Sequence, residues 1–172
     1  PCGCRGNPVG RDHLAFQGPA MKVVEEIDLP VRPQMAWRVL TDLERYPHWI
    51  STFRLEGEMA PGAELTYAFR ARKRRMFRLP VRVIHFAMGQ GFSLRGGVPG
   101  VLRWDQSLTL VRTIKGARLV HELEWNGLLV MLVGRARITR KLHLLGASFN
   151  RCLQAYCVKV AKGTVRLPRE GR

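Results

Sequence analysis

Two histidines are the side chains of this sequence best suited to chemistry, His85 in the stretch MFRLPVRVIHF and His121 in RLVHELEW. Imidazole titrates near neutral pH, so either ring could serve as a general acid or base. Each could also be a core histidine whose ring nitrogens are satisfied by a carbonyl, by Gln106 or by a tyrosine hydroxyl. No nucleophile or pair of carboxylates shares their predicted face, and this favours the core role for both.

The face on which each histidine lies follows from its strand, because successive side chains of a strand point to opposite sides. Alternation predicts one face lined mostly by apolar groups with a few polar ones, the usual composition of a small-molecule site. Residues of a long C-terminal helix would complete the lining. The predicted ligand-binding set is Tyr67, Phe69, Val83, His85, Phe92, Leu94, Trp104, Gln106, Leu108, His121, Leu123, Trp125, Leu145, Phe149 and Tyr156.

The elements that must position these residues begin with a strand over 22–29, which Pro30 ends because proline has no amide hydrogen for a ladder. Pro33 then opens a short amphipathic helix. Asp42 can cap a second short helix, LERYPHW, which Pro47 must end or distort. Two short helices are therefore expected directly after the first strand.

Strand and helix patterns divide the rest of the chain. Six strand candidates lie between Phe53 and Gly127, separated by glycine-containing turns too short for a crossover helix, so an antiparallel meander is expected. From Ile138 to Val160 apolar residues recur every three or four positions, which predicts a helix of roughly six turns that Gly163 ends. The predicted fold class is α+β, a curved antiparallel sheet of about seven strands around this helix.

The apolar stretch GLLVMLVG, residues 127–134, lies between the last predicted strand and the long helix. It is far shorter than the roughly 18 apolar residues of a membrane span. We interpret it as a strand end or as a loop at the mouth of a pocket, and we do not expect an integral membrane protein.

A group of residues after the first strand marks a resemblance to a known family: Pro33, Trp37, Asp42, Tyr46, Pro47 and Trp49. Together with GVPGVLRWDQSLTL and ARLVHELEWNGLLV further on, this pattern is similar to that of the START-like superfamily. The superfamily is also called SRPBCC or helix-grip, and it includes polyketide cyclase/dehydrase-like proteins. The likeness covers about Met21 to Lys162. It implies a hydrophobic cavity between sheet and helix, and burial of Trp49 between the short helices and the sheet.

Composition and the resemblance together divide the chain into one domain and two tails. Residues 21–165 form the expected START-like ligand-binding domain, and residues 166–172 a basic C-terminal tail. Residues 1–20 form a flexible tail or a non-native leader that lacks the apolar core of a secretory signal. Cys2 and Cys4 have no matching second pair, so reduced thiols in a cytoplasmic protein are expected rather than a disulfide framework or a metal site.

The formal charge of +16 on 172 residues creates a positive field that favours anionic partners such as nucleic acid, acidic lipid or acidic proteins. A dense basic run surrounds a turn between two predicted strands and comprises Arg70, Arg72, Lys73, Arg74, Arg75 and Arg78. These side chains could grip phosphate groups, or they could simply keep a hairpin solvated. Aromatic residues are not interleaved with them, so base stacking on this run lacks support.

Three functions stay open from the sequence. The first is binding of a hydrophobic small molecule, lipid-like or polyketide-like, between the sheet and the C-terminal helix. The second, implied by the resemblance, is a cyclase/dehydratase-type enzyme in which His85 or His121 moves protons on a carbonyl-containing chain. The third is an interaction module whose basic surface binds an anionic partner. No cofactor is expected for any of them.

Overall fold

The structure, a computed structural model, describes residues 20–70, 75–98 and 100–167 of the chain. The predicted tails therefore lie almost wholly outside the described residues, as do Arg72, Lys73 and Arg74 of the basic run. The strands are β1 (Met21–Leu29), β2 (Phe53–Glu56), β3 (Glu64–Arg70), β4 (Met76–Ala87), β5 (Gly91–Val98), β6 (Leu102–Thr113) and β7 (Gly116–Asn126). The helices are α1 (Pro33–Thr41), a 3₁₀ helix (Leu43–His48), α2 (Leu128–Val133) and α3 (Arg135–Ala161).

The strands form one antiparallel sheet in the order β1-β7-β6-β5-β4-β3-β2, so that β1 and β2 are its edges. This confirms the predicted α+β meander with its long C-terminal helix. The register gives the sheet two ends. One, which we call the α2 end, holds the end of β3, the start of β4, the end of β5, the start of β6 and the passage from β7 into α2. The other, the far end, holds the β4–β5 and β6–β7 turns and the passage from β1 into α1.

Helix α3 begins at the α2 end and packs across the sheet against β1 and β7. Gly146 permits this close approach, because a β-carbon there would lie 3.3 Å from Leu123 and 3.4 Å from Glu25. The apolar stripe predicted for this helix is buried at Ile138, Leu142, Phe149, Leu153, Tyr156 and Val160. Leu145, predicted to belong to it, is 46% exposed. Successive helical residues are about 100° apart, so Leu145 lies at the edge of the stripe while its neighbour Gly146 faces the sheet.

The aromatic motif after β1 packs as predicted. The Tyr46 hydroxyl donates to the Leu40 carbonyl oxygen at 2.7 Å, and the Tyr46 ring centroid lies 4.7 Å from that of Trp49. Both side chains are buried. Asp42 occupies the N-cap position of the 3₁₀ helix, but its side chain makes no capping hydrogen bond and pairs instead with Arg45 at 3.3 Å. The predicted side-chain cap is therefore wrong.

The apolar stretch after β7 is a helix, α2, and not the strand end or loop that its sequence suggested. Gly127 and Gly134 flank it with φ angles of 119° and 91°, which side chains larger than glycine rarely adopt. These two residues let the chain turn sharply into and out of six helical residues. Val130 is the buried member of α2 and holds it against Ile138 and Leu142 of α3.

Candidate binding site on the concave face

Helix α3 covers one face of the sheet, which we call the concave face. Most of the predicted ligand-binding side chains lie on this face and are buried. They are Val83, Phe92, Leu94, Gln106, Leu108, His121 and Leu123 from the strands, and Phe149 and Tyr156 from α3. Phe149 lies centrally among them, with ring centroids 5.0 Å from His121, 5.5 Å from Trp49 and 6.1 Å from Phe53. This part of the predicted set is closed to solvent.

A hydrogen-bonded polar group crosses this buried region from the sheet to α3. The Nε2 atoms of Gln106 and His121 are 2.9 Å apart, and His121 Nδ1 lies 2.9 Å from Asn150 Oδ1. The amide nitrogen of Gln106 can only donate, so His121 Nε2 must accept, and the ring proton then lies on Nδ1 and is donated to Asn150. His121 is thus held neutral in one tautomer with both nitrogens engaged.

Burial lowers the pKa of His121, and the hydrogen bond to Asn150 and the charge of Glu25 only partly oppose this effect. The pKa of this histidine is therefore lower in the folded chain than in the unfolded chain. Below the unfolded pKa, the unfolded chain takes up a proton that the folded chain does not, and this proton uptake favours unfolding. Stability is therefore expected to fall as the pH drops below about 6.5.

The measurement is urea unfolding of the wild type and of His121→Gln between pH 8 and pH 5, values chosen to bracket the ordinary histidine pKa of about 6.5. The wild type should lose up to about 1.4 kcal/mol per pH unit through this one group. The variant should be less stable at neutral pH but should change less with pH, since all other titrating groups are common to both proteins. Parallel pH profiles would show that His121 does not cause the dependence.

At the α2 end the concave face is lined by the partly exposed side chains Tyr67, Phe69, Trp104 and Trp125. We call these four, with exposed Leu145 of α3, the aromatic rim. The ring centroid of Tyr67 is 5.3 Å from Trp104 and 5.8 Å from Phe69. Trp104 and Trp125 face each other across β6 and β7. The cation of Lys141, one turn before Leu145 on α3, lies 5.8 Å from the Trp125 ring centroid.

The far end of the concave face is covered by α1, whose Trp37 ring centroid lies 5.3 Å from Phe86 and 6.1 Å from Phe92. The aromatic rim therefore marks the end at which solvent reaches this face. Gly96 sets the position of Trp104 within the rim, because a β-carbon at Gly96 would lie only 2.7 Å from the indole ring. Burial raises the pKa of Tyr67, so its hydroxyl stays protonated and can donate a hydrogen bond.

One predicted member lies on the opposite face. His85 is exposed, because the β4–β5 register shifts between Val83 and His85: Val83 pairs with Leu94, whereas His85 pairs with Ser93. A β-bulge of this kind adds one residue to a strand and reverses its alternation beyond that point. His85 therefore cannot act on a ligand on the concave face, and the prediction that it points inward is wrong.

The interior also holds an unused hydrogen-bond donor. The indole Nε1–H of Trp49 is buried and has no acceptor among the described residues. The Trp49 ring centroid lies 5.5 Å from Phe149 and 6.3 Å from Tyr156, so this donor belongs to the space between the short helices and α3. A buried unpaired N–H costs free energy, about 1–3 kcal/mol, that an acceptor on a ligand or water would recover. No feature of the sequence indicated that Trp49 would be left unpaired.

The structure describes three residues of the basic run. Arg70 ends β3, and Arg75 and Arg78 are exposed at the start of β4. Arg78 also pairs with Glu56 of β2 at 3.5 Å.

In the part of the chain that the structure describes, no three histidine, cysteine, aspartate or glutamate side chains are grouped so that they could hold a metal ion.

A further feature, missed from the sequence, lies on the outer side of α3. It is an open depression of about 710 Å³ in which His143 Nδ1 lies 3.0 Å from Glu25 Oε1. Its lining is Glu25, Arg135, Ala136, Thr139, Arg140, His143, Leu144 and Ala147. Alternation in β1 puts Glu25 on the same face as the apolar residues Val23 and Ile27. A carboxylate among apolar residues of one face was the sequence feature from which a polar partner such as His143 could have been predicted.

Comparison with known proteins identifies the fold. No known protein-family profile matches the sequence, and no curated protein is significantly similar to it. Among solved structures, a START superfamily protein from Mycobacterium smegmatis has a TM-score of 0.68 at 12% identity, over 81% of this chain and 99% of that protein. Ara h 8.0201 has a TM-score of 0.64 at 11% identity, over 81% of this chain and 99% of that one.

A third structure is similar over only part of its own length. DynU16, a putative protein of the dynemicin biosynthetic locus, has a TM-score of 0.58 at 17% identity, over 78% of this chain and 46% of that one. Identities this low establish the architecture alone, and a fold of this kind can carry many activities. The antiparallel sheet around α3, the two short helices after β1 and these structural neighbours together show that the chain has the START-like, helix-grip fold.

Proposed function

We propose that this protein binds a hydrophobic small molecule on the concave face, with the apolar body of the ligand against the aromatic rim. The observation that carries the proposal is the grouping of four partly exposed aromatic side chains on the face that α3 covers. Large aromatic surfaces that remain accessible beside a closed core can be desolvated by an apolar ligand. The START-like fold of the chain is consistent with this use.

The hydrogen-bond donors of the interior indicate which polar group the ligand should carry. The Trp49 indole N–H is buried and unpaired, and the Tyr67 hydroxyl stays protonated. Both are donors, so the ligand that fits best combines an apolar body with an oxygen acceptor such as a carbonyl or hydroxyl group. Such a description includes lipid-like and polyketide-like molecules.

Binding is favoured over a cyclase-type reaction. The reaction predicted from the sequence uses a histidine that faces the ligand with a nitrogen free to accept a proton. Both ring nitrogens of His121 are engaged within the protein, and His85 lies on the opposite face. We assign His121 the role of fixing the interior around Phe149.

The first experiment is mass spectrometry of the intact native protein, followed by organic extraction and identification of any molecule that co-purifies. A stoichiometric apolar compound with an oxygen acceptor is the expected result. A co-purified compound that is polar and anionic instead would contradict the proposed class.

Binding at the aromatic rim is tested with the neutral fluorophore N-phenyl-1-naphthylamine, which avoids any contribution from the positive charge of the protein. Trp104→Ala should weaken its binding by about tenfold, because an aromatic contact surface is lost. Leu145→Asp is a second variant whose exposed position spares the fold, and it should weaken binding as well. Ile114→Ala, at a fully exposed apolar side chain of the far end, is the matched control. Unchanged affinity in both rim variants would refute the proposed site.

A further inference from the structure

Exposed apolar side chains are concentrated at the α2 end. The exposed side chains of α2 are Leu128, Leu129, Met131, Leu132 and Val133, and Leu132 is 75% exposed. The β5–β6 turn adds exposed Val98 and Val101, and the Leu129 amide donates to the Val101 carbonyl oxygen at 3.0 Å. Met76 and Phe77 at the start of β4 lie at this end and are exposed as well. A contiguous exposed apolar patch usually marks an interaction surface.

Basic side chains follow this apolar surface directly in the chain. Arg135, Arg137, Arg140 and Lys141 lie in the first two turns of α3 and are exposed. None of the ion pairs formed among the described residues uses Arg135, Arg137 or Arg140. The first turn of α3 has no acidic residue, so these cations oppose the helix dipole without local compensation. An anionic partner at this end would supply that compensation.

We propose that the α2 end docks on the surface of an anionic phospholipid bilayer. The exposed aliphatic side chains of α2 enter the boundary between headgroups and acyl chains, and the arginines of α3 contact lipid phosphates. Six helical residues are about 9 Å long, which suits a helix lying in the interface. Within the described residues, no helix is long and apolar enough to cross a membrane.

The surface chemistry favours a bilayer over the other partners of a basic protein. A nucleic acid would use the arginines but would leave Met131, Leu132 and Val133 without an apolar environment. A second copy of the chain, docked symmetrically, would bring the same unpaired arginines against each other. Of these three partners, a lipid surface is the one that satisfies the aliphatic and the cationic groups together.

The docked orientation places the aromatic rim next to the bilayer, because Trp104, Trp125 and Lys141 lie at the same end of the fold as α2. A hydrophobic ligand could then pass between the lipid and the concave face without crossing water. This delivery role rests on the proposed function, whereas docking itself does not depend on it.

Docking is tested with the full chain by co-sedimentation with vesicles of equal parts phosphatidylglycerol and phosphatidylcholine, and with vesicles of phosphatidylcholine alone. The wild type should bind the anionic vesicles at least about tenfold more tightly. Leu132→Asp should reduce binding to the anionic vesicles by about tenfold, and Arg137→Glu by a similar factor. Both positions are exposed, so neither change should affect the fold.

The matched controls lie at the far end. Ile114→Asp adds the same charge at an exposed apolar side chain, and Arg112→Glu reverses an exposed cation there. Each control should keep most of the binding, since it changes net charge as the test variants do but leaves the α2 end intact.

Three results would overturn the docking proposal. If Leu132→Asp weakens binding no more than Ile114→Asp does, and Arg137→Glu no more than Arg112→Glu does, only the net charge of the protein acts. If the protein ignores the vesicles but binds a duplex RNA oligonucleotide, the partner is a nucleic acid. If it ignores them and Leu132→Asp converts a dimer into a monomer in sedimentation, the α2 end is an interface between copies.

Failure of docking and failure of the proposed ligand site are distinguishable. N-phenyl-1-naphthylamine binding is measured without vesicles, and Leu132→Asp should leave it unchanged. If every protein, including the wild type, binds the fluorophore but not the vesicles, the docking proposal fails and the proposed ligand site stands.

Discussion

Phe149→Ala is expected to lower the free energy of unfolding by about 3–5 kcal/mol. Phe149 is only 4% exposed, and its ring lies close to His121 of β7, to Trp49 at the end of the 3₁₀ helix and to Phe53 of β2. Truncation removes the side chain that joins these three elements and leaves a cavity that rigid aromatic neighbours cannot fill. Urea unfolding followed by circular dichroism measures the change.

Leu144→Ala provides the comparison for Phe149→Ala on the same helix. Leu144 is 63% exposed, so its truncation should change the free energy of unfolding by no more than about 0.5 kcal/mol. Losses of similar size at both positions would contradict this prediction, because alanine favours a helix more than phenylalanine or leucine does and burial would then not distinguish the two sites.

The buried polar group gives the second large effect. Asn150→Leu should cost about 1–3 kcal/mol, because His121 Nδ1–H loses its acceptor in a site that water does not reach. The same substitution combined with Gln106→Leu and His121→Leu should recover most of that loss, since no buried donor or acceptor of the group then remains. Both proteins are compared with the wild type by urea unfolding.

The combined variant decides what the polar group contributes. A triple variant that is less stable than Asn150→Leu would show that Gln106, His121 and Asn150 stabilise the fold beyond satisfying one another. Recovery would show that the group is retained for another purpose, such as a fixed shape of the interior around Phe149.

The order of the elements, the aromatic and proline residues after β1 and the two later motifs together were sufficient to predict the architecture. Trp49 is buried where the resemblance placed it, because large aromatic side chains in a short, proline-interrupted segment have few ways to be buried. Strand alternation also placed His121 and Gln106 correctly, since β6 and β7 pair without a register shift.

Errors arose where a local pattern depended on distant parts of the chain. The bulge in β4 turned His85 outward, and no residue in MFRLPVRVIHF marks it. The stretch GLLVMLVG was interpreted as a strand end or a loop, yet it forms a mostly exposed helix because two glycines let the chain turn into and out of it. Leu145 fits the helical period but faces solvent, because the sheet contacts α3 along Gly146.

The resemblance implied the helix-grip architecture. The sequence by itself otherwise determined the order of the elements apart from α2, the positive charge and the identity of most side chains on the concave face. These depend on periodicity and composition, which are local properties. Only the tertiary structure decided which of those side chains are closed to solvent, which form the aromatic rim, and that apolar and basic groups meet at the α2 end. Accessibility and juxtaposition are set by strand register and by the contact of α3 with the sheet, and both join residues far apart in the chain.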